Sequence, residues 1–446
     1  MKRSIIACAL GLCLCSSLVF GQIVTNTNQS AQYLRMLARN ASTDIDAAYY
    51  NPAGLARLVD GWHFSLSNQT LFQEKTVTNE FPLLNQPEFV GEVNVPFFPN
   101  VYAAYKTGNL VFSFGFGPNS GGGTADFSSG LPSFEIPISQ LPMMMTQMGL
   151  PTTEYNADIA FKGTSVFLGF QLNASYALSD VLSVAGGMRY ISASNTYEGR
   201  IENIEFNPYH PYLKPNTDMI SAYQFFNALG LTEYAGMVAD KHVNAEQTGS
   251  GITPILGLNF NFGTHLNIGV RYEFNTPLEL QNQTTVDDTG LFPDGHTFRS
   301  DIPAIFSVGA EYMLTRRLNA FVSYNQFFEK QADLNGAEEW LDSNTYDLAL
   351  ALEYMLSQTV AVSGGYMMTR PGVSKEYQND FSHEIPANSI AFGSRIGLTR
   401  RLNLDIGVLL VDYLDASREF TYPGFGTFSE TYSRSTWAFS IGIEYR

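Results

Sequence analysis

The 446-residue sequence predicts an all-β fold, a transmembrane antiparallel β-barrel of about fourteen strands with a small N-terminal plug, or hatch, in its lumen. Three observations predict it. Large apolar residues recur at every second position through most of the chain. Very short turns alternate with long connections. Beyond the N-terminal region, no apolar run reaches the ~20 residues a membrane helix needs.

In chain order, Lys2 and Arg3 precede an apolar stretch over 5–20, and Gly21 offers a small residue for cleavage. Residues 1–21 therefore read as a secretory signal peptide. Cys8, Cys13 and Cys15, the only cysteines, all lie inside it. The exported chain then has no disulfide, thiolate metal site or cysteine nucleophile, and closure of a barrel supplies the restraint that disulfides would. A net charge of −17 argues against nucleic acid as a partner.

The alternation begins after residue 60. Trp62, Phe64, Leu66 and Phe72 share one face, and His63, Ser65, Ser67 and Gln69 the other. Leu266, Ile268, Val270, Tyr272 and Phe274 oppose Asn267, Gly269, Arg271 and Glu273. Trp437, Phe439, Ile441, Ile443 and Tyr445 oppose Ala438, Ser440, Gly442 and Glu444. Strand cores are expected at 62–72, 99–106, 110–117, 159–178, 182–197, 252–262, 266–276, 302–314, 318–326, 346–356, 360–368, 389–398, 402–413 and 433–445. A soluble sandwich would show the same alternation, so the connections decide. Thr107-Gly108-Asn109, Ser179-Asp180, Gly263-Thr264, Thr315-Arg316-Arg317, Ser357-Gln358 and Thr399-Arg400-Arg401 are tight turns, whereas 118–158 and 199–249 are long. Short turns at one rim and long loops at the other suit a membrane barrel, because irregular backbone is confined to the rims. Tyr105, Tyr176, Tyr190, Tyr272, Tyr312, Tyr324, Tyr354, Tyr366 and Tyr445 fall near strand ends on the outward face, as interfacial aromatic girdles do.

Between signal and first strand lies QSAQYLRMLARNASTDIDAAYYNPAGLA, residues 29–56. With its Asn-Pro-Ala triplet, this stretch resembles the N-terminal plug of the FadL/TodX family of outer-membrane transporters for long-chain fatty acids and other hydrophobic compounds. The resemblance implies a hatch over 22–60 and a barrel over 61–446. It also implies substrate exit sideways through an opening at a kinked third strand. Asn51, Pro52 and Ala53 carry the motif here.

Each candidate site has a plainer alternative. Asn51-Pro52-Ala53-Gly54 reads by itself as a turn, since Asn-Pro initiates turns; with the resemblance it becomes a gating element of the hatch. Strand three, at 110–117, is followed by Pro118 and a glycine run at 121–123. Gly115 and Gly117 face the lumen and Pro118 cannot donate to a ladder, which describes a strand fading into a loop equally well. The resemblance makes these residues a side gate. The loop segments 132–150 and 219–237 are apolar for surface chain, and Met219, Tyr223, Phe226 and Leu229 recur at helical spacing. Met143, Met144, Met145 and Met148, with Phe225 or Phe226, would line an outer capture groove, their thioethers adapting to varied apolar shapes. Alternatively, the two loops pack together and seal the top. Arg189 and Arg271, near mid-barrel, offer forks for a substrate carboxylate, with Glu273 a competing partner for Arg271. Glu311, Glu353, Arg395, Asp405 and Glu444 project inward near the short-turn rim, where the plug cations Arg35, Arg39 and Arg57 would pair with the acids.

The six histidines show no metal-binding spacing, and there is no phosphate loop and no GxSxG. Neither cofactor nor metal is expected. The leading expectation is a monomeric, passive channel of the cell outer membrane, whose partners are a hydrophobic small molecule and membrane lipid. The alternatives are a porin-like or scaffold barrel that binds a partner protein, or an outer-membrane acyl hydrolase, with His63 near Ser65 the suggestive pair.

Overall fold

The computed structural model describes residues 27–209 and 218–446. The signal segment with its three cysteines, the start of the hatch and His210 lie outside the described residues.

Fourteen wall strands close into one antiparallel barrel. They are β1 (Gly61–Asn79), β2 (Glu88–Thr107), β3 (Leu110–Phe127), β4 (Tyr155–Ala177), β5 (Leu182–Phe206), β6 (Lys241–Phe262), β7 (Leu266–Glu273), β8 (Ile305–Thr315), β9 (Leu318–Phe327), β10 (Tyr346–Met355), β11 (Val360–Arg370), β12 (Ala387–Gly397), β13 (Leu402–Tyr413) and β14 (Gly426–Tyr445). Closure runs along β1 and β14, from Phe64 opposite Tyr445 to Asn79 opposite Glu430. No strand edge is left open along the seam.

The two-residue period sorts the side chains as expected. Leu66, Leu172, Met188, Ile252 and Phe392 point outward and are more than half exposed. Ser65, Ser67, Asn173, Asn259 and Ser307 point inward and are buried. A continuous apolar exterior of this kind is favourable only against lipid. Tyr105, Tyr176, Tyr190, Tyr312, Tyr354, Tyr366 and Tyr445 are exposed on it, while Tyr272 and Tyr324 are half-buried. Among the described residues no helix is long and apolar enough to cross a membrane.

Several strands run further than the alternation suggested. β5 and β6 pair from Leu182–Phe260 up to Ile201–Lys241, so the ends of the expected 199–249 loop are strand. Glu198 and Arg200 lie in this extension. Above the lipid the outward face no longer needs to be apolar, and the sequence signal fades. The chain between β7 and β8 also holds a hairpin, Glu279–Asp287 with Thr297–Arg299, which pairs with the upper half of β6. Strand three does not end at Gly117. It continues through Pro118 to Phe127, still paired to β4, with register shifts at Pro118/Ser120 and Gly121/Gly123.

The lumen is filled at one level by residues 27–58. Here α1 (Ala31–Leu34) is capped by the Ser30 hydroxyl, which accepts from the Tyr33 amide at 2.9 Å. α2 (Ala47–Tyr50) leads at Asn51 into a 3₁₀ turn, Pro52–Arg57, with proline at its first position, where a missing N–H costs nothing. Leu34, Met36, Leu37, Ile45, Tyr50 and Leu55 pack against small inward residues such as Ala349, Ala351, Ala391 and Ala438. The wall also approaches the plug through glycines. A β-carbon at Gly365 would overlap the Met36 carbonyl, and one at Gly269 the Asn40 carbonyl. The backbone of the plug thus lies directly on the barrel wall.

Candidate functional site: plug, cavity and wall gap

The plug is tied down at three places. At its C-terminal end, Asn51 Nδ2 donates to Asn259 Oδ1 at 3.0 Å. The Pro52 carbonyl accepts from Ser175 Oγ at 2.7 Å and the Ala53 carbonyl from Ser183 Oγ at 2.8 Å. Gly54 lies so close to the Ser42 carbonyl that no side chain would fit. The Asn-Pro-Ala-Gly kernel is thereby fastened to β4, β5 and β6.

Near the short-turn rim an ion network holds the middle of the plug. Arg35 pairs with Glu353 and, at 3.0 Å, with Asp405. Asp44 receives Arg395 at 2.9 Å, Arg446 at 3.0 Å and Arg39 at 3.1 Å. Arg395 also reaches Asp405 and Glu444, both at 3.0 Å. Burial of these charges is tolerated because each finds opposite charge within bonding distance. The expected pairing holds for Arg35. Arg39 instead turns to the plug's own Asp44 and Asp46, and Arg57 makes no ion pair among the described residues. Glu311 accepts from Asn319 at 3.1 Å.

The third attachment lies at the N-terminal end, against a break in the wall. β2 and β3 pair at Val101–Phe116 and again at Val93–Ala125, but not between. Asn94, Val95 and Phe98–Asn100 remain paired to β1, with a bulge at Pro96 and Phe97, and the 117–124 stretch stays paired to β4 apart from its two register shifts. The cause is local: Pro96, Pro99 and Pro118 have no N–H to donate there. Gln29 sits behind this gap. Its Nε2 donates to the Pro118 carbonyl at 2.6 Å, and its Oε1 accepts from Asn100 Nδ2 at 3.1 Å. Its backbone carbonyl accepts from Tyr102 Oη at 2.5 Å and its amide donates to Tyr50 Oη at 2.9 Å. A β-carbon at Gly117 would strike Asn100 Nδ2 and crowd Gln29 Oε1; Gly115 faces the Tyr102 ring. Gly115, Gly117 and Pro118 are among the residues expected at this place, whereas nothing in the sequence marks Gln29 and Asn100 as their partners.

Above the plug is a cavity of about 490 Å³. Tyr33 and Leu37 of the plug form part of its lining, and Leu71, Phe98, Phe127 and Phe161 are wall residues that line it. Val95, Ser120, Gly121 and Gly123 line it too, so the cavity reaches the gap in the β2–β3 ladder. Its size fits a small ligand, and its walls are mixed: these apolar side chains stand beside polar and charged ones such as Gln69, Gln73, Lys75, Asp347 and Arg434. The connection 371–386 reaches over the cavity. Phe381 packs on Phe134 and Phe161, each with ring centroids 5.3 Å away, and Asp380 accepts from the Ser133 amide at 2.8 Å.

The outer loops form a separate layer. α3 (Pro132–Ser139) and α4 (Leu141–Gln147) belong to one, α5 (Ala222–Ala228) and α6 (Thr232–Met237) to the other. Met145 and Phe226 are buried in the core between them, and Met144 and Phe225 are partly buried against it. Met143 and Met148 are exposed. Tyr223 and Leu229 are exposed as well, so the helical stripe expected with Phe226 is not a single buried face. None of these methionines or phenylalanines lines the cavity.

Arg189 and Arg271 face the lumen but lie outside the cavity lining. Arg189 forms a two-pronged pair with Glu273 at 2.7 and 3.0 Å, and Arg271 reaches Glu273 at 3.1 Å. Both guanidinium groups lie over the Tyr49 ring, at 4.6 and 5.0 Å, and Arg271 also donates to the Tyr49 carbonyl. A substrate carboxylate would have to displace Glu273 and the plug to reach them. His63 contacts the Val59 carbonyl at 2.8 Å rather than Ser65.

These features define a class: a closed membrane-type barrel with a tethered plug, a cavity above it and an unpaired stretch of wall beside it. No protein-family model and no curated protein matches the sequence. Solved structures do match. A FadL homologue from Pseudomonas aeruginosa aligns over 95% of this chain and 99% of its own, at a TM-score of 0.64 and 12% identity. The toluene transporter TodX of Pseudomonas putida aligns over 91% and 94%, at 0.57 and 13%. The toluene transporter TbuX of Ralstonia pickettii aligns over 90% and 93%, at 0.54 and 15%. The chain has the fold of the FadL and TodX barrels.

Proposed function

We propose that this protein is a passive, monomeric outer-membrane channel for hydrophobic molecules, long-chain fatty acids among them. The exposed apolar residues of the loop layer, Met143 and Met148 with Tyr223 and Leu229, collect the ligand from outside. The cavity holds it, each buried methylene contributing ~0.8 kcal/mol, which is enough to bind an acyl chain without any reaction. The ligand leaves sideways into lipid through the β2–β3 gap when the N-terminal limb of the plug withdraws Gln29. The Asn51–Gly54 kernel stays fastened and acts as the pivot of that movement.

The observation that carries this reading is the contact of the cavity with the gap at Val95, Ser120, Gly121 and Gly123, together with the bonds of Gln29 to Pro118 and Asn100 across the other end of that gap. A plug seated on the barrel wall also argues against a permanently open water pore. The test is uptake of a fluorescent fatty acid into outer-membrane vesicles, with and without deletion of residues 29–34. Loss of retention at the gap should change the uptake rate. An unchanged rate in a correctly folded barrel would count against the plug as gate.

A further inference from the structure

We infer that the two Thr-Arg-Arg turns of the short-turn rim, with Arg316, Arg317, Arg400 and Arg401, bind the headgroup phosphates of anionic phospholipid and so anchor one side of the barrel in the adjoining leaflet.

The hexapeptide Leu-Thr-Arg-Arg-Leu-Asn occurs twice, at 314–319 and 398–403. One copy turns the chain between β8 and β9, the other between β12 and β13. Thr315 Oγ1 accepts from the Arg317 and Leu318 amides at 3.2 and 3.0 Å, and Thr399 Oγ1 from the Arg401 and Leu402 amides at 3.2 and 3.1 Å. Ser179 and Ser357 build the same turn around Asp180-Val181 and Gln358-Thr359. The turn therefore needs the hydroxyl and not the arginines. All four arginines are exposed, and none pairs with an acid among the described residues. Arg401 donates to the Tyr445 hydroxyl at 3.2 Å. In a chain of net charge −17, four cations that balance none of its own acids fit an anionic partner from outside.

Their depth in the bilayer identifies that partner. Leu314 and Leu398, which lead into the two turns, are half exposed on the lipid face, and Tyr312 and Tyr445 stand in the aromatic girdle beside them. The apolar surface thus ends next to each arginine pair, and long cationic side chains at that depth reach the headgroups. A guanidinium fork takes a phosphate through two bonds. The turns are also fixed in place: the Arg317 carbonyl accepts from the Met355 amide at 2.8 Å, and the Arg401 carbonyl from the Arg446 amide at 2.9 Å. Four strand spacings, ~20 Å, separate the two turns, so each takes its own lipid.

The other charges of this rim do not cancel the site. Arg446 pairs with Asp44 and Glu444, and Lys106 with Asp60. Glu353 and Asp405, near the ends of the same set of strands, pair inward with Arg35 of the plug, and Glu311 accepts from Asn319. Asp180, exposed on the β4–β5 turn, lies toward the side of the wall gap. Anionic lipid is therefore drawn to the β8–β13 side and not to the side where β2 and β3 part.

The test titrates the full, delipidated barrel in detergent with phosphatidylglycerol or phosphatidylcholine. Native mass spectrometry gives the dissociation constants of the first two lipids bound. The wild type is expected to bind phosphatidylglycerol about fivefold or more tightly than phosphatidylcholine, the effect of a single basic side chain at an anionic headgroup. Replacing all four arginines with glutamine leaves the threonine bonds of the turns in place. It should remove the preference while phosphatidylcholine binding stays as it was, which also reports a folded barrel. Four lysines in their place should keep a preference, reduced by loss of the two-bond geometry. A preference that survives the four glutamine substitutions overturns the site. Equal affinities in the wild type overturn it as well, and leave an acidic protein surface as the partner of this rim.

Discussion

Gln29→Ala is the substitution that most directly loosens the closed state. It removes a buried donor to the Pro118 carbonyl and a buried acceptor for Asn100. Each bond contributes about 0.5–1.5 kcal/mol, and a partner left buried and unpaired costs more. The backbone bonds of residue 29 to Tyr50 and Tyr102 remain, so the plug should stay in the barrel. A loss of roughly 2–3 kcal/mol in the seated arrangement corresponds to about a 30- to 150-fold rise in the population with the gap uncovered. Uptake of a fluorescent fatty acid into vesicles should accelerate, up to the point where another step becomes limiting. Hydrogen exchange over 29–34 should rise without change in the wall strands. Unaltered uptake together with unaltered exchange would refute the assignment of Gln29 as the latch.

Three other outcomes are expected. Gly365→Ala places a methyl group on the Met36 carbonyl, and overpacking of this kind costs about 1–3 kcal/mol, so thermal unfolding should shift down and plug exchange should rise. Asp44→Asn leaves Arg395 and Arg446 short of an acid; since Asp44 is a quarter exposed, the cost should fall below the ~3–5 kcal/mol of a fully buried pair, and hydrogen exchange at 39–46 would report it. His383, stacked on Tyr432, is held well below the usual histidine range by burial and then by Arg434 and Lys75. Above about pH 6.5 both the closed and the opened 371–386 connection carry it neutral, and its contribution is complete; below that pH the opened form takes the proton first and closure weakens. Burial raises Asp380 and Glu384, which acts in the opposite direction, so the histidine component is read as the difference in exchange over 371–386 between wild type and His383→Gln at pH 7.5 and 5.5.

The wall was legible because lipid imposes one rule on every strand: apolar outside, small or polar inside. Where that rule stops, so did the reading. Residues 199–206 and 241–249 are strand, but their outward face meets water and carries charge. The alternation ends strand three at Gly117 because Pro118 and the following glycines have the composition of a loop. In the structure they remain paired on the β4 side and are unpaired on the β2 side, a distinction of partner that composition does not hold. Asn51-Pro52-Ala53-Gly54 was visible as a motif, but its bonds to Ser175, Ser183 and Asn259 arise only when the barrel wraps around it. Arg189 and Arg271 were correctly placed in the lumen, while their shared attachment to Glu273 and Tyr49 depends on where the plug lies.

The central claim is that ligand leaves through the seam between β2 and β3. Val95 and Gly123 face each other across it, and a β-carbon at Gly123 would lie 3.8 Å from that of Val95. This is close to the separation a disulfide requires, about 3.8 Å. The protein with Val95→Cys and Gly123→Cys should take up fatty acid when reduced, lose uptake when oxidised and recover it on reduction, with ligand binding retained throughout. Full uptake through a barrel shown to carry the intact bridge would contradict the account.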